Sequence, residues 1–353
     1  ACHAAAERAT DGYAVLDNNR ERFDLINTVE EEPAVAAGGV EVAQGPTVPA
    51  DGGKALRRML GRPVFLLEAN VAPPVVALEA RGGVAAIEDN AARGPGAELS
   101  VDVADEFIAR GMAGIEKGLG RLVEKGRMEA ADRDAALARI TTGTDMVVGA
   151  HADLFIEAAP ESMELKRDLF EKSAAILRPD AVIATNTSSL SVSALSGFVT
   201  TPERFVGIHF FNPVPLMALV EVVRGERTSD ATLVAARAFV EAVGKTPITV
   251  KDSPGFVVNR ILFPMINEAA NALHEEVATA EDIDTGMKLG ANWPMGPLAL
   301  ADLVGLDTTT AILETLEREL GDSKYAPSPA LARLRDAGKL GRKTGSGFYD
   351  YGT

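Results

Sequence analysis

Histidine is scarce in this chain, four in 353 residues, and the four are not placed alike. His209 lies near the end of the apolar run RFVGIHFF (204–211), which reads as a strand stopped by Asn212-Pro213. His3 sits in a weakly patterned N-terminal stretch, His151 in a loop and His274 late in a helical pattern. The next apolar run, ALVEVVRG (218–225), carries one acid, Glu221. Imidazole titrates near neutral pH, and a carboxylate beside it can fix its tautomer and steady its cation. A strand-end His and Asn, with a Glu on the following strand, therefore suit general acid–base chemistry. A histidine satisfied by a backbone carbonyl is the alternative reading. The run AVIATNTSSL (181–190) adds another polar strand end in NTSS (186–189).

Positioning these side chains takes a sheet whose carboxyl ends meet. Strand-like runs at 75–78, 98–102, 153–161, 181–190, 204–215, 218–225 and 246–252 are largely separated by helix-length segments. One of these, residues 106–128, has apolar residues at Phe107, Met112, Ile115, Leu119 and Leu122, near helical spacing. This alternation predicts an α/β fold, a Rossmann-like, doubly wound and mostly parallel sheet, with ligands outside the strands' carboxyl ends. After SPGFVVNRI the strand signals stop, and four helical segments run from about 259 to 338, one of them over 298–320. The expected division is an unassigned N-terminal extension (1–74), a dinucleotide-binding domain (75–253) and an all-helical C-terminal domain (254–353). Within the extension, 30–53 reads as Pro- and Gly-punctuated loop and RPVFLLEA (62–69) as a candidate buried strand.

Composition narrows the partners. The chain is 46% hydrophobic and 24% charged, which allows a sizeable core, and its net charge is −16. That charge argues against nucleic acid or an anionic membrane, and an anionic ligand needs a locally basic site. A single cysteine, Cys2, precludes an internal disulfide framework. No stretch has the length of apolar sequence that a transmembrane helix needs, and the N-terminus lacks a secretory apolar core. A cytoplasmic protein without a metal centre is the expectation.

The stretch VVALEARGGVAAIEDNAARGPGAELSVD (75–102) lays out strand, turn, helix, turn and strand, as in the first half of a βαβ nucleotide-binding unit. Its turn should read G-x-G-x-x-G, yet the glycine places hold Glu79, Arg81 and Val84. Glu79 puts negative charge where a pyrophosphate approaches. Arg81 adds bulk at the closest approach, and Val84 is β-branched where helix and strand pack. Gly82 and Gly83, between them, leave room for a shifted turn.

In order along the chain stand NTSSL, GIHFFNPVPLMALVEVV, KDSPGFVVNRIL, ANWPMGPLALADLVGLD and GRKTGSGFYDY. From about Asp102 to Tyr351 the sequence closely resembles the 3-hydroxyacyl-CoA dehydrogenase family, most nearly its short-chain bacterial branch, the 3-hydroxybutyryl-CoA dehydrogenases. The resemblance implies a catalytic base at His209 and its carboxylate partner at Glu221, with Ser188, Asn212 and Asn259 around the substrate. It implies NAD as cofactor, with Asp102 as the ribose-binding acid and Glu161 and Lys166 lining the cofactor site. Lys125 matches a position that contacts the coenzyme A portion of an acyl-CoA substrate, and the helical domain implies a homodimer. The residues keep ordinary readings beside these: Ser188 as a turn cap, Asn212 as part of an Asn-Pro turn, Asn259 in the first turn of a helix. Action on another 3-hydroxy acid, a dicarboxylyl-CoA or a sugar acid, remains an alternative. So does a non-catalytic binding or structural member with a degenerate loop.

Overall fold

The computed structural model describes residues 104–352 together with the backbone of two strands, β1 (Val64–Glu68) and β2 (Glu98–Val101). Six more strands follow: β3 (Ile140–Gly143), β4 (Leu154–Ala158), β5 (Val182–Thr185), β6 (Phe205–Phe210), β7 (Leu219–Arg224) and β8 (Thr246–Lys251). They form one eight-stranded sheet in the order β3-β2-β1-β4-β5-β6-β7-β8. All neighbours are parallel except β6 and β7, which are antiparallel. The chain steps one way from β1 to β3 and the other way from β4 to β6. In open α/β sheets the carboxyl ends of the strands at such a reversal, here β1 and β4, are the usual ligand site.

The central strands are near-continuous apolar runs because helices cover both faces. In β4, Phe155 joins an apolar cluster with Phe170, Leu195 and Phe205, while Leu154 and Ile156 join the opposite one with Val206, Ile208 and Val240. The first face is covered by α3 (Met163–Ile176) and the short α4 (Val192–Leu195), the second by α5 (Asp230–Ala242). Side chains alternate along a strand, so His209 lies on the same face as Phe205.

Before these helices come α1 (Asp105–Glu124) and α2 (Ala130–Ala138). Past β8 the chain is helical: α6 (Val258–His274), α7 (Ala280–Gly290), α8 (Pro297–Val304), α9 (Leu306–Leu320) and α10 (Pro329–Asp336). Phe263, Ile266, Leu298, Leu306, Leu313 and Leu331 form their common core. The final residues are clipped onto it by Asp302, whose carboxylate accepts from Phe348 N, Tyr349 N and the Tyr351 hydroxyl, each at 3.0 Å.

The structure departs from the sequence expectation in three places. Val64–Glu68 pairs with both β2 and β4, so this segment occupies the central position expected for 75–78. Residues 75–78, Glu79, Arg81, Val84 and Asp102 lie outside the described residues. The helix expected over 298–320 is two helices, broken at Gly305, whose φ of 105° is the left-handed region that glycine tolerates. Helix α1 ends at Glu124, with Gly126 at φ 63° turning the chain towards α2 and β3, two short elements without a clear apolar period.

Candidate active site

β6 and β7 run antiparallel with His209 directly opposite Glu221. Opposed residues project to the same face, so the pairing register alone brings the two side chains together. His209 Nδ1 lies 2.8 Å from Glu221 Oε2. The other carboxylate oxygen, Oε1, accepts from Val257 N and Val258 N, both at 3.0 Å. These are backbone N–H groups at the start of α6, where a helix leaves its first donors without partners and offers a positive dipole end. No side chain of α6 caps that terminus; the sheet's Glu221 does so. Glu221 is 0% exposed and accepts at both oxygens, a placement for a buried carboxylate with a fixed direction.

The His209 ring packs at a tilt against Phe211 and Phe256, with centroids 4.6 and 5.5 Å away. Phe256 has φ 50° and follows Gly255 at φ 72°; this left-handed pair turns the chain into α6. With Nδ1 directed to a carboxylate, Nε2 is the ring nitrogen left to exchange a proton with a ligand. The strand end is steadied from β5: Asn186 Oδ1 accepts from Phe210 N at 2.9 Å, and Asn186 N donates to the Glu157 carbonyl at 2.7 Å.

Ser188 is exposed on the turn after β5, Asn212 is exposed three residues after His209, and Asn259 is buried beside the α6 amides that Glu221 binds. Among the described residues, none of these three side chains has a hydrogen-bonding partner. Their polar ends suit a neutral donor set around a ligand oxygen.

A second polar group sits at the carboxyl ends of β4 and β5. Glu161 Oε1 accepts from Thr187 Oγ1 at 2.5 Å and from Ser188 N, Ser189 N and Ser189 Oγ at 2.9 Å. Burial works against the Glu161 charge, but Lys166 and the bonds from Thr187 and Ser189 outweigh it and hold its carboxyl below the ordinary range. Lys166 is 1% exposed, and its Nζ meets Glu157 Oε1 at 2.6 Å, the Ala159 carbonyl at 3.0 Å and Glu161 Oε2 at 3.4 Å. An ammonium so enclosed is turned inward, onto Glu157, the Ala159 carbonyl and Glu161. Glu157 closes the network by accepting from Thr185 Oγ1 at 2.7 Å.

The sequence reading passed over Glu157 and Lys245. Glu157 had a signal, being an acid inside the otherwise apolar strand LFIEA, which only a buried partner makes tolerable. Lys125 is exposed at the end of α1, and Lys117, Arg121 and Arg127 near it are exposed as well.

Comparison with known proteins places these features in a family. Residues 90–253 match the model of the 3-hydroxyacyl-CoA dehydrogenase NAD-binding domain, and residues 255–351 match that of its C-terminal domain. The chain is 50% identical over 250 residues to a probable 3-hydroxybutyryl-CoA dehydrogenase of Deinococcus radiodurans, covering 71% of this chain and 90% of that one. It is 49% identical over 250 residues to the 3-hydroxybutyryl-CoA dehydrogenase of Bradyrhizobium diazoefficiens, covering 71% and 85%. The crystal structure of an (S)-3-hydroxybutyryl-CoA dehydrogenase from Ralstonia eutropha superposes with a TM-score of 0.74 at 43% identity, over 82% of this chain and all of that one (100%).

Proposed function

The chain belongs to the 3-hydroxyacyl-CoA dehydrogenase family, and from that premise we propose how its residues perform the reaction. The activity is NAD-dependent, reversible oxidation of a (3S)-3-hydroxyacyl-CoA to the 3-ketoacyl-CoA, with short-chain substrates such as 3-hydroxybutyryl-CoA. The observation that carries our assignment of roles is the 2.8 Å contact between His209 Nδ1 and Glu221 Oε2 at the carboxyl end of β6.

His209 Nε2 takes the proton of the substrate's C3 hydroxyl. Glu221 steadies the imidazolium at Nδ1, and the α6 amides keep that carboxylate aimed. NAD, when bound, supplies the acceptor for the hydride leaving C3. Ser188, Asn212 and Asn259 donate to the reacting oxygen or the thioester, favouring the charge that develops there. In the reductive direction the imidazolium returns its proton to the same oxygen. The described residues fit a dinucleotide on two counts: the switch point between β1 and β4, and the polar cluster centred on Glu161 at the adjoining strand ends. Glu161 lines that site, Lys166 organises it from beneath, and Asp102 is the ribose-binding acid in this reading.

Lys125 meets the phosphates of the coenzyme A portion, while Lys117 and Arg121 serve as solvated charges. Residues 75–253 bind the nucleotide, and those from 254 form the helical domain, through which two copies pair. Support for pairing comes from Val257, just before α6, and Ile261 and Met265 within it, spaced four apart and 41%, 56% and 40% exposed. A cytoplasmic location belongs to the same reading; among the described residues no helix is long and apolar enough to cross a membrane.

The test is NADH oxidation with acetoacetyl-CoA, followed by absorbance, for the wild-type chain and for His209→Ala. Turnover by the first that disappears in the second supports these roles. Equal turnover by both removes His209 from the chemistry.

A further inference from the structure

The loop of residues 211–218 joins the strand of His209 to the strand of Glu221 and carries Asn212. Its internal bonds are few: Leu216 N and Met217 N both donate to the Pro213 carbonyl, at 3.0 and 3.1 Å. Leu216 and Met217 are exposed, and Asn212 lies beyond the last β6–β7 pair, Phe210 with Val220. The register that places the catalytic pair therefore does not extend to Asn212.

The loop is held by a side chain from elsewhere in the sequence. Lys245, the residue before β8, is 7% exposed, and its Nζ donates to the Val214 carbonyl at 2.7 Å and the Met217 carbonyl at 2.8 Å. Next along the chain, Thr246 N donates to the Ala218 carbonyl at 2.8 Å. Lysine is rarely buried to this degree, because its polar end must be satisfied inside the protein. Here that requirement is met by main-chain carbonyls on both limbs of the one loop that bears Asn212.

We propose that Lys245 is a positioning residue for the dehydrogenase reaction, holding the 211–218 loop so that the Asn212 amide stands at a fixed place beside the substrate. The proposal rests on the reading of Asn212 as a substrate contact. Lys245 touches no reacting atom; without it the two carbonyls lose their shared donor and the loop relaxes.

The experiment is a double-mutant cycle on NADH-dependent reduction of acetoacetyl-CoA, with Lys245→Met, Asn212→Ala and the pair. Lys245→Met is expected to lower kcat/KM about 10- to 100-fold, the scale of a contact misplaced by about 1 Å. NADH affinity, measured by fluorescence titration, stays unchanged. Asn212→Ala then adds little in the Lys245→Met background, whereas Ser188→Ala keeps its full effect there. Lys245→Arg, which retains donors at the end of a long side chain, restores part of the loss. Lys245→Gln runs in parallel, so unfolding of the Met variant leaves the question decidable. Wild-type kcat/KM in folded Lys245→Met or Lys245→Gln, with Asn212→Ala impaired, overturns the proposal and leaves the Asn212 reading intact. Full additivity with Asn212→Ala overturns it too. Wild-type behaviour of Asn212→Ala overturns both readings together.

Discussion

Glu221 faces His209 across the β6–β7 ladder and, through its second oxygen, accepts the first free amides of α6. One buried carboxylate thus orients the imidazole and terminates the first helix of the C-terminal part. The contact to His209 and the seating of α6 rest on the two oxygens of one side chain.

That double duty makes Glu221→Gln informative. The amide keeps the size but turns one oxygen into a donor. Facing Val257 N and Val258 N, it would set donor against donors; facing Nδ1, it would force the imidazole into the wrong tautomer. We expect kcat to fall roughly 10²- to 10⁴-fold. Loss of the helix-terminal bonds should cost about 1–3 kcal/mol in urea unfolding. A variant with unchanged kcat would dismiss the tautomer argument, whatever its stability.

Glu161 predicts a pH effect with a definite sign. Its carboxyl is held below the ordinary value: burial opposes the charge, but Lys166, Thr187 and Ser189 favour it more. A depressed folded-state value means stabilisation that is fully present above the unfolded-state value and lost as pH falls through the folded one. Tm of the wild-type chain should therefore exceed that of Glu161→Gln near neutrality, with the gap narrowing on acidification from about pH 7 to about pH 3. A gap independent of pH would show that the carboxylate contributes shape rather than charge.

The exposed α6 row makes a prediction about assembly. Ile261 is 56% exposed at the centre of the row formed with Val257 and Met265. If this face is covered by a second copy, Ile261→Glu buries a charge in the interface and shifts a dimer towards monomer in light scattering after gel filtration. The same mass for both proteins would take α6 out of the interface.

How far the sequence reached can be judged from particular elements. β4, β5 and β6 were readable because both faces are buried and their runs are mostly apolar. The dyad was readable because a scarce residue type stood at a strand end with an acid on the next strand. The first strand was not, since VFLLE and VVAL are equivalent as short apolar runs and only pairing distinguishes them. The break at Gly305 was hidden because apolar spacing continues on either side, through Leu298, Leu306 and Leu313. Lys245 carried no signal in the sequence, because its burial depends on where the 211–218 loop returns in space.

Gly207 offers a test that leaves the dyad's own atoms unchanged. It pairs with Val223 on β7, two residues before His209 on the same face of β6. A Cβ there would lie 2.7 Å from Val223 Cβ and 2.9 Å from Val192 Cγ2, closer than real side chains approach. Replacing a strand glycine by alanine otherwise stabilises by about 0.4–1 kcal/mol through the unfolded chain. Crowding in a packed core costs about 1–3 kcal/mol and should win. The strain is relieved most directly by moving β6 away from β7, which lengthens the contact between His209 and Glu221. Gly207→Ala is thus expected to lower Tm and to reduce kcat several-fold, while NADH affinity, which the proposed reading sets at the ends of β1 and β4, is kept. A variant with lowered Tm but full kcat would show that the dyad tolerates the displacement. Unchanged Tm and kcat together would show that Val192 and Val223 yield without moving the strands.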